Sequence, residues 1–182
     1  MRLVVISGTN REGSYTLRMA KSLVEKYAEL VDDVRLLDLR DLPQDLLSPG
    51  AYAAKPQAFK SFIDAVLGAD GLVVVTPEYN GSFPGVLKLF IDMLPFPESF
   101  ENRPVCFVGL AAGRWGGLRP VEQLQQVFSY RNALCFNERV FLPAVGDELD
   151  DNMEPTTPLT KKVLSSQIKN FVGFCRRNAC RD

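Results

Sequence analysis

Histidine is absent from this chain of 182 residues. That one absence removes Ser-His-Asp and Cys-His hydrolysis and most zinc and haem sites, because each needs an imidazole as base or ligand. Redox chemistry carried by a bound organic cofactor stays open, since the cofactor itself supplies it. Excess charge is lacking too: 21 Lys and Arg stand against 22 Asp and Glu, a net charge of −1. Nothing there selects nucleic acid or an anionic membrane as partner. No apolar run approaches the roughly 20 residues of a membrane span. The apolar part of Met1–Ser7 is too short for a secretory signal core. A cytoplasmic protein is the expectation. The four cysteines (Cys106, Cys135, Cys175 and Cys180) show no CxxC and no metal spacing. Cys106 and Cys135 fall in predicted strands and read as buried free thiols. Cys175 and Cys180 lie near the tail, where a disulfide or metal is the alternative reading.

Two phosphate signatures are also missing. There is no G-x-x-x-x-G-K-[ST], so a P-loop kinase or GTPase is not expected. No G-x-G-x-x-G follows the first apolar run, so Asp38 lacks the glycine partners of a dinucleotide site.

What is present alternates. Apolar, β-branched runs at Leu3–Ile6, Val34–Leu37, Leu72–Val75, Val105–Leu110 and Ala133–Phe136 read as strands. Helical spacing covers Ser14–Leu30, Pro56–Leu67, Gly85–Met93, Leu118–Phe128 and Leu159–Arg176. With 46% apolar residues, one domain over 1–182 can bury a three-layer core. The rhythm predicts an α/β, flavodoxin-like sandwich with a five-stranded parallel sheet, order 2-1-3-4-5, and right-handed crossovers. Loops at the carboxyl ends of strands 1, 3 and 4 then meet at the switch point of the sheet.

Two of those loops carry chemistry. Gly8-Thr9-Asn10-Arg11-Glu12-Gly13-Ser14 opens the first helix, with Ser14 as N-cap. Unpaired amides at the helix start, the hydroxyls of Thr9 and Ser14 and the guanidinium of Arg11 suit a phosphate. Pro77-Glu78-Tyr79-Asn80-Gly81-Ser82-Phe83-Pro84-Gly85 joins the third strand to its helix. Its backbone amides and the Tyr79 ring suit a flat polar heterocycle. A hairpin turn at Asn80-Gly81 is the rival reading. Pro77 and Pro84 weigh against it, because neither can donate to a strand ladder.

These residues resemble the flavodoxin-like NADPH-dependent FMN reductases, relatives of flavin-dependent azo, quinone and chromate reductases. Gly8–Ser14 matches the G-[ST]-x-R-x-x-S loop, Pro77–Lys88 matches the second signature, and Ala111–Gly117 matches a glycine-rich turn after the fourth strand. The resemblance covers roughly residues 3–140. It implies Thr9, Arg11 and Ser14 on the FMN phosphate, Pro77, Glu78, Tyr79 and Asn80 on the ring, and Gly113 at its far edge. It implies an enzyme that moves electrons from NADPH or NADH through FMN to a small-molecule acceptor: a flavin, quinone, azo dye or metal oxyanion. A homodimer or homotetramer is implied as well. Leu89 and Met93 depart from an Asn and a Trp common in the family, and Trp115 is bulkier than usual. Amides of Gly113–Gly117 are candidates for the N1/O2 edge of the flavin. Arg114 either assists them or sits in solvent.

The rival class is a non-enzymatic, flavodoxin-like electron carrier. Such carriers are strongly acidic for docking, and this chain is nearly neutral. A flavin-free interaction protein on the same fold is the third reading. Residues 40–54 read as an irregular loop that borders the site of a neighbouring subunit or merely connects. Residues 146–158 read as a solvated acidic loop, not a metal site. Leu87, Phe90, Ile91 and Leu94 offer either subunit contact or burial against the sheet.

Overall fold

The computed structural model describes residues 1–178. Six strands lie in one parallel sheet: β1 (Arg2–Ser7), β2 (Asp33–Asp38), β3 (Gly71–Pro77), β4 (Pro104–Leu110), β5 (Leu134–Cys135) and β6 (Val140–Leu142). The order is β2-β1-β3-β4-β5, with β6 also paired to β4. The helices are α1 (Tyr15–Ala28), α2 (Lys60–Leu67), α3 (Gly85–Met93), α4 (Leu118–Tyr130), α5 (Val145–Glu148) and α6 (Pro158–Asn178).

The central strands are buried on both faces, which is why β3 and β4 read as unbroken apolar runs. Alternate side chains of β1 and β3 feed two cores. Leu3, Val5, Val73 and Val75 pack under α1 and α6 with Leu23 and Phe171. Val4, Ile6, Leu72 and Val74 pack under α2, α3 and α4 with Phe62, Phe90 and Phe128. Leu87, Phe90, Ile91 and Leu94 belong to this second core at 3% exposure or less, so burial against the sheet accounts for them.

The fifth strand position is broken. β5 pairs β4 at Pro104 and Val105, and β6 pairs it again from Val108 to Leu110. The predicted single strand Ala133–Phe136 is therefore only its first piece. Gln167, fully buried on α6, closes the gap: its amide donates to the Phe107 carbonyl at 3.0 Å and the Glu138 carbonyl at 2.8 Å.

Residues 39–52 hold three short 3-10 turns, and Leu39, Leu46 and Ala51 anchor them in the second core. The expected solvated loop at 146–158 is only partly that. It contains the end of α5, and Leu149 and Met153 are buried in the first core. Cys106, Cys135 and Cys175 are free thiols. Cys106 and Cys175 are buried, as expected for the first, whereas Cys135 is only half-buried. Burial pushes the Cys106 thiol and the adjacent Tyr27 phenol up, and Cys175 up to about 12. Cys180 lies outside the described residues. Among them, no group of His, Cys, Asp and Glu could hold a metal, and no helix is long and apolar enough to cross a membrane.

Candidate functional site

The β1–α1 loop begins with a close approach to the sheet. Gly8 N donates to the Val75 carbonyl at 2.8 Å, and a Cβ on Gly8 would stand 2.7 Å from that same oxygen. Only glycine lets the loop leave the sheet there. Gly13 turns the chain at φ +65°, and Ser14 caps α1, its Oγ accepting from Leu17 N at 3.2 Å. The amides of Tyr15 and Thr16 have no acceptor within the chain among the described residues. Arg11 is exposed, and its guanidinium has no ion pair among the described residues.

The β3–α3 loop is a tight turn. Tyr79 N donates to the Ser82 carbonyl at 2.9 Å and Ser82 N to the Tyr79 carbonyl at 3.0 Å. Asn80 (φ 51°) and Gly81 (φ 76°) occupy its two central positions, the signature of a type I′ turn. The turn set aside on account of Pro77 and Pro84 is therefore present. The prolines forbid only the flanking ladder, and the antiparallel pairing stops at the single Tyr79–Ser82 bridge. Gln123 on α4 fastens the turn, accepting from Ser82 Oγ at 2.5 Å and donating to the Gly81 carbonyl at 3.3 Å.

The β4–α4 loop owes its course to glycine packing. A Cβ on Gly109 would meet the Gly117 and Gly116 carbonyl oxygens at 2.7 and 2.8 Å. Gly116 (φ 58°) and Gly117 (φ 81°) fold the loop back against β4 and β6. The glycine-rich signature thus first secures backbone packing.

These loops and the start of α5 enclose a cleft of about 460 Å³, within the usual range for a ligand site. Arg11, Ser14, Pro77, Glu78 and Tyr79 line it. The other three predicted residues do not. Thr9 is 1% exposed and joins two loops instead: its Oγ1 lies 3.1 Å from Tyr79 Oη and accepts from Arg11 N at 3.2 Å. Asn80 is exposed at the tip of the turn. Gly113 is exposed at the rim, its carbonyl accepting from Ala144 N at 3.3 Å and Gly116 N at 3.4 Å. Tyr15, Thr16, Val145 and Gly146 also line the cleft and escaped the sequence reading. Tyr15 and Thr16 follow the cap directly. Val145 and Gly146 lie too far along the chain to be linked with it by spacing.

Arg119 was missed as well. It forms an ion pair with Glu78 Oε1. Glu78 Oε2 is buried and has no hydrogen-bond partner among the described residues. A partnerless buried carboxylate oxygen in a cleft wall costs free energy unless a ligand donates to it. The lining thus combines a cation, Arg11, an acceptor, Glu78 Oε2, and the apolar side chains of Leu110, Ala111 and Val145.

Known proteins resemble this chain. A family model described as NADPH-dependent FMN reductase matches residues 1–146. An NADH:(hydroxy)cinnamate reductase subunit of Vibrio ruber is 30% identical over 128 residues, which are 70% of this chain and 62% of that protein. A quinone reductase of Escherichia coli strain K12 is 28% identical over 184 residues, covering 97% of this chain and 96% of the relative. The solved structure of FerB, a flavoenzyme NAD(P)H:(acceptor) oxidoreductase of Paracoccus denitrificans, superposes with a TM-score of 0.81 at 20% identity. That match covers 98% of this chain and 99% of FerB.

Proposed function

This chain belongs to the NADPH-dependent FMN reductase family, and from that premise we propose that its cleft holds FMN and serves the reduction of a small quinone-type acceptor by NAD(P)H. The observation that carries the reading is the convergence of the three strand-end loops on one cleft, lined by an unpaired arginine and a partnerless carboxylate oxygen. The donor set fits the cofactor. Arg11 and the first-turn amides of Tyr15 and Thr16 suit the phosphate. Glu78 Oε2 suits an N–H donor of the ring, and Tyr79 and Pro77 suit its flat edge. FMN, when bound, supplies the hydride chemistry, so no side chain need be a nucleophile.

The residues of the chain then bind, orient and exclude water. Ser14 fixes the start of α1, and the Thr9–Tyr79 bond ties the phosphate end of the wall to the ring end. The amide of Ala112, a lining residue, has no acceptor within the chain among the described residues. It is a donor available to a developing negative charge in the cleft. The name of the Escherichia coli relative supports a quinone as acceptor, and so does the apolar stretch Leu110–Ala111.

The test is optical. Protein reconstituted with FMN is expected to be yellow, to bleach under anaerobic NADPH and to recover its colour when a benzoquinone is added. Loss of the phosphate is expected to weaken binding on the order of 100-fold for riboflavin relative to FMN. Equal affinities for the two flavins would remove the phosphate role of residues 8–14. Protein that cannot be reconstituted would remove the reading itself.

A further inference from the structure

The β4–α4 loop carries side chains that the flavin reading leaves unused. Trp115 is 47% exposed, unusual for so large an apolar ring. Two arginines lie over it: Arg114 Cζ is 4.9 Å from the ring centroid and Arg119 Cζ 5.8 Å. The backbone that carries the ring is fixed. The Trp115 carbonyl accepts from Leu118 N at 3.0 Å, and Gly116 and Gly117, the next two residues, are wedged against β4 and β6. Arg119 is tethered to Glu78, a wall residue of the cleft, so the stack stands at the cleft mouth. Charge there is positive. Glu78 offsets Arg119, and Glu122, one turn along α4, faces Arg139 at 3.9 Å. Arg114 has no ion pair among the described residues.

We propose that Arg114, Trp115 and Arg119 form an oxyanion-recognition platform at the cleft mouth, selecting aromatic substrates that carry a sulfonate-, carboxylate- or phosphate-type group. The Arg114 guanidinium, laid on the aromatic face and without an ion pair among the described residues, keeps its N–H edge free and pre-oriented for two oxygens of one anion, while Arg119 keeps the donors that Glu78 leaves. The uncovered ring surface favours an aromatic body attached to that anion. The proposal rests on the reductase reading only for where the ring of the substrate goes. The anion has two sources, an acidic acceptor or the 2′-phosphate of NADPH, and they separate experimentally.

The experiment uses the FMN-loaded protein and two ratios of KM: 1,4-naphthoquinone over its 2-sulfonate, and NADH over NADPH. Arg114→Gln is expected to lower one of them about fivefold, with Arg114→Lys retaining most of the preference. A change in the quinone ratio assigns the platform to the acceptor, and a change in the nucleotide ratio assigns it to the reductant. Salt raised from about 20 to about 300 mM should erode the same ratio in the unaltered protein. If neither ratio responds to charge or to salt, the proposal is overturned. A second readout needs no turnover. Trp115 is the only tryptophan, so quenching of its emission by naphthoquinone sulfonate reports binding at the platform directly. Quenching that Arg114→Gln weakens supports the platform even if the protein proves not to oxidise NAD(P)H. No quenching by either the sulfonate or NADP⁺ overturns it even if the reductase reading holds.

Discussion

Arg11 and Ser14 differ in what they contribute to the same corner of the cleft. Ser14 is half spent on the fold, because its Oγ caps α1 through Leu17 N. Ser14→Ala should lower the stability of the flavin-free protein by about 0.5–2 kcal/mol. Arg11 is exposed and unpaired, so Arg11→Ala should leave that stability within about 0.5 kcal/mol and weaken FMN more than Ser14→Ala does. Thermal unfolding without flavin, beside FMN titration of both variants, checks the pair. An unchanged FMN affinity for Arg11→Ala would reassign the arginine to the surface. Tyr79 offers a second contrast. Sequence alone predicts a mild Tyr79→Phe, since the packing survives. The Thr9–Tyr79 bond at 3.1 Å raises the expected cost to about 0.5–1.5 kcal/mol. Tyr79→Ala loses aromatic area as well and should impair flavin binding. Gly81→Val should cost at least about 1–2 kcal/mol, because φ +76° is strained for a β-branched residue. Flavin spectra and NADPH oxidation rates test the series, and three normal variants would make residues 79–81 a plain connector.

Between elements, single side chains and missing side chains decide the assembly. The sheet reaches its fifth position in two pieces, and Gln167 supplies the donors that a continuous strand would have given. Gln167→Glu keeps the shape and removes the amide donor. It should cost about 1–3 kcal/mol by leaving the Phe107 carbonyl, deep in the sheet, without that partner. Urea unfolding measures it, and a midpoint equal to the parent's would mean water can replace the amide. Gly109→Ala probes the opposite case. Its added carbon would press on backbone oxygens at 2.7 and 2.8 Å, which cannot rotate away. About 1–3 kcal/mol of overpacking strain is expected, together with a displaced β4–α4 loop. Stability and flavin affinity should therefore fall together, and a stable variant with weakened flavin affinity would show that the loop moves without strain.

For the whole molecule, the surface between α3 and α4 stands out. A groove of about 550 Å³ includes Val127, Phe96 and Tyr130, the last two exposed at 60% and 79%. Apolar exposure of this kind marks a contact surface. A homodimer at micromolar concentration is the expected outcome of sedimentation velocity, with Tyr130→Glu shifting it toward monomer. A clean monomer of 20.3 kDa would sink the expectation and leave the reductase reading standing. Much of the molecule is legible from its chain. The strand–helix rhythm, the cap at Ser14 and the two signature loops depend on neighbouring residues, and hydrophobic period, turn chemistry and capping act over a few positions. The short β6 escaped because three residues carry no period. The Asn80-Gly81 turn was misjudged because proline excludes a ladder, not a turn. Tertiary structure alone decided the rest. The Thr9–Tyr79 bond spans 70 residues and the Arg119–Glu78 contact spans 41, while the placing of Val145, Gly146 and Gln167 follows from how helices settle on the sheet. Local sequence determines which elements and loops form, but which side chains meet across them is set only when both faces of the sheet are packed.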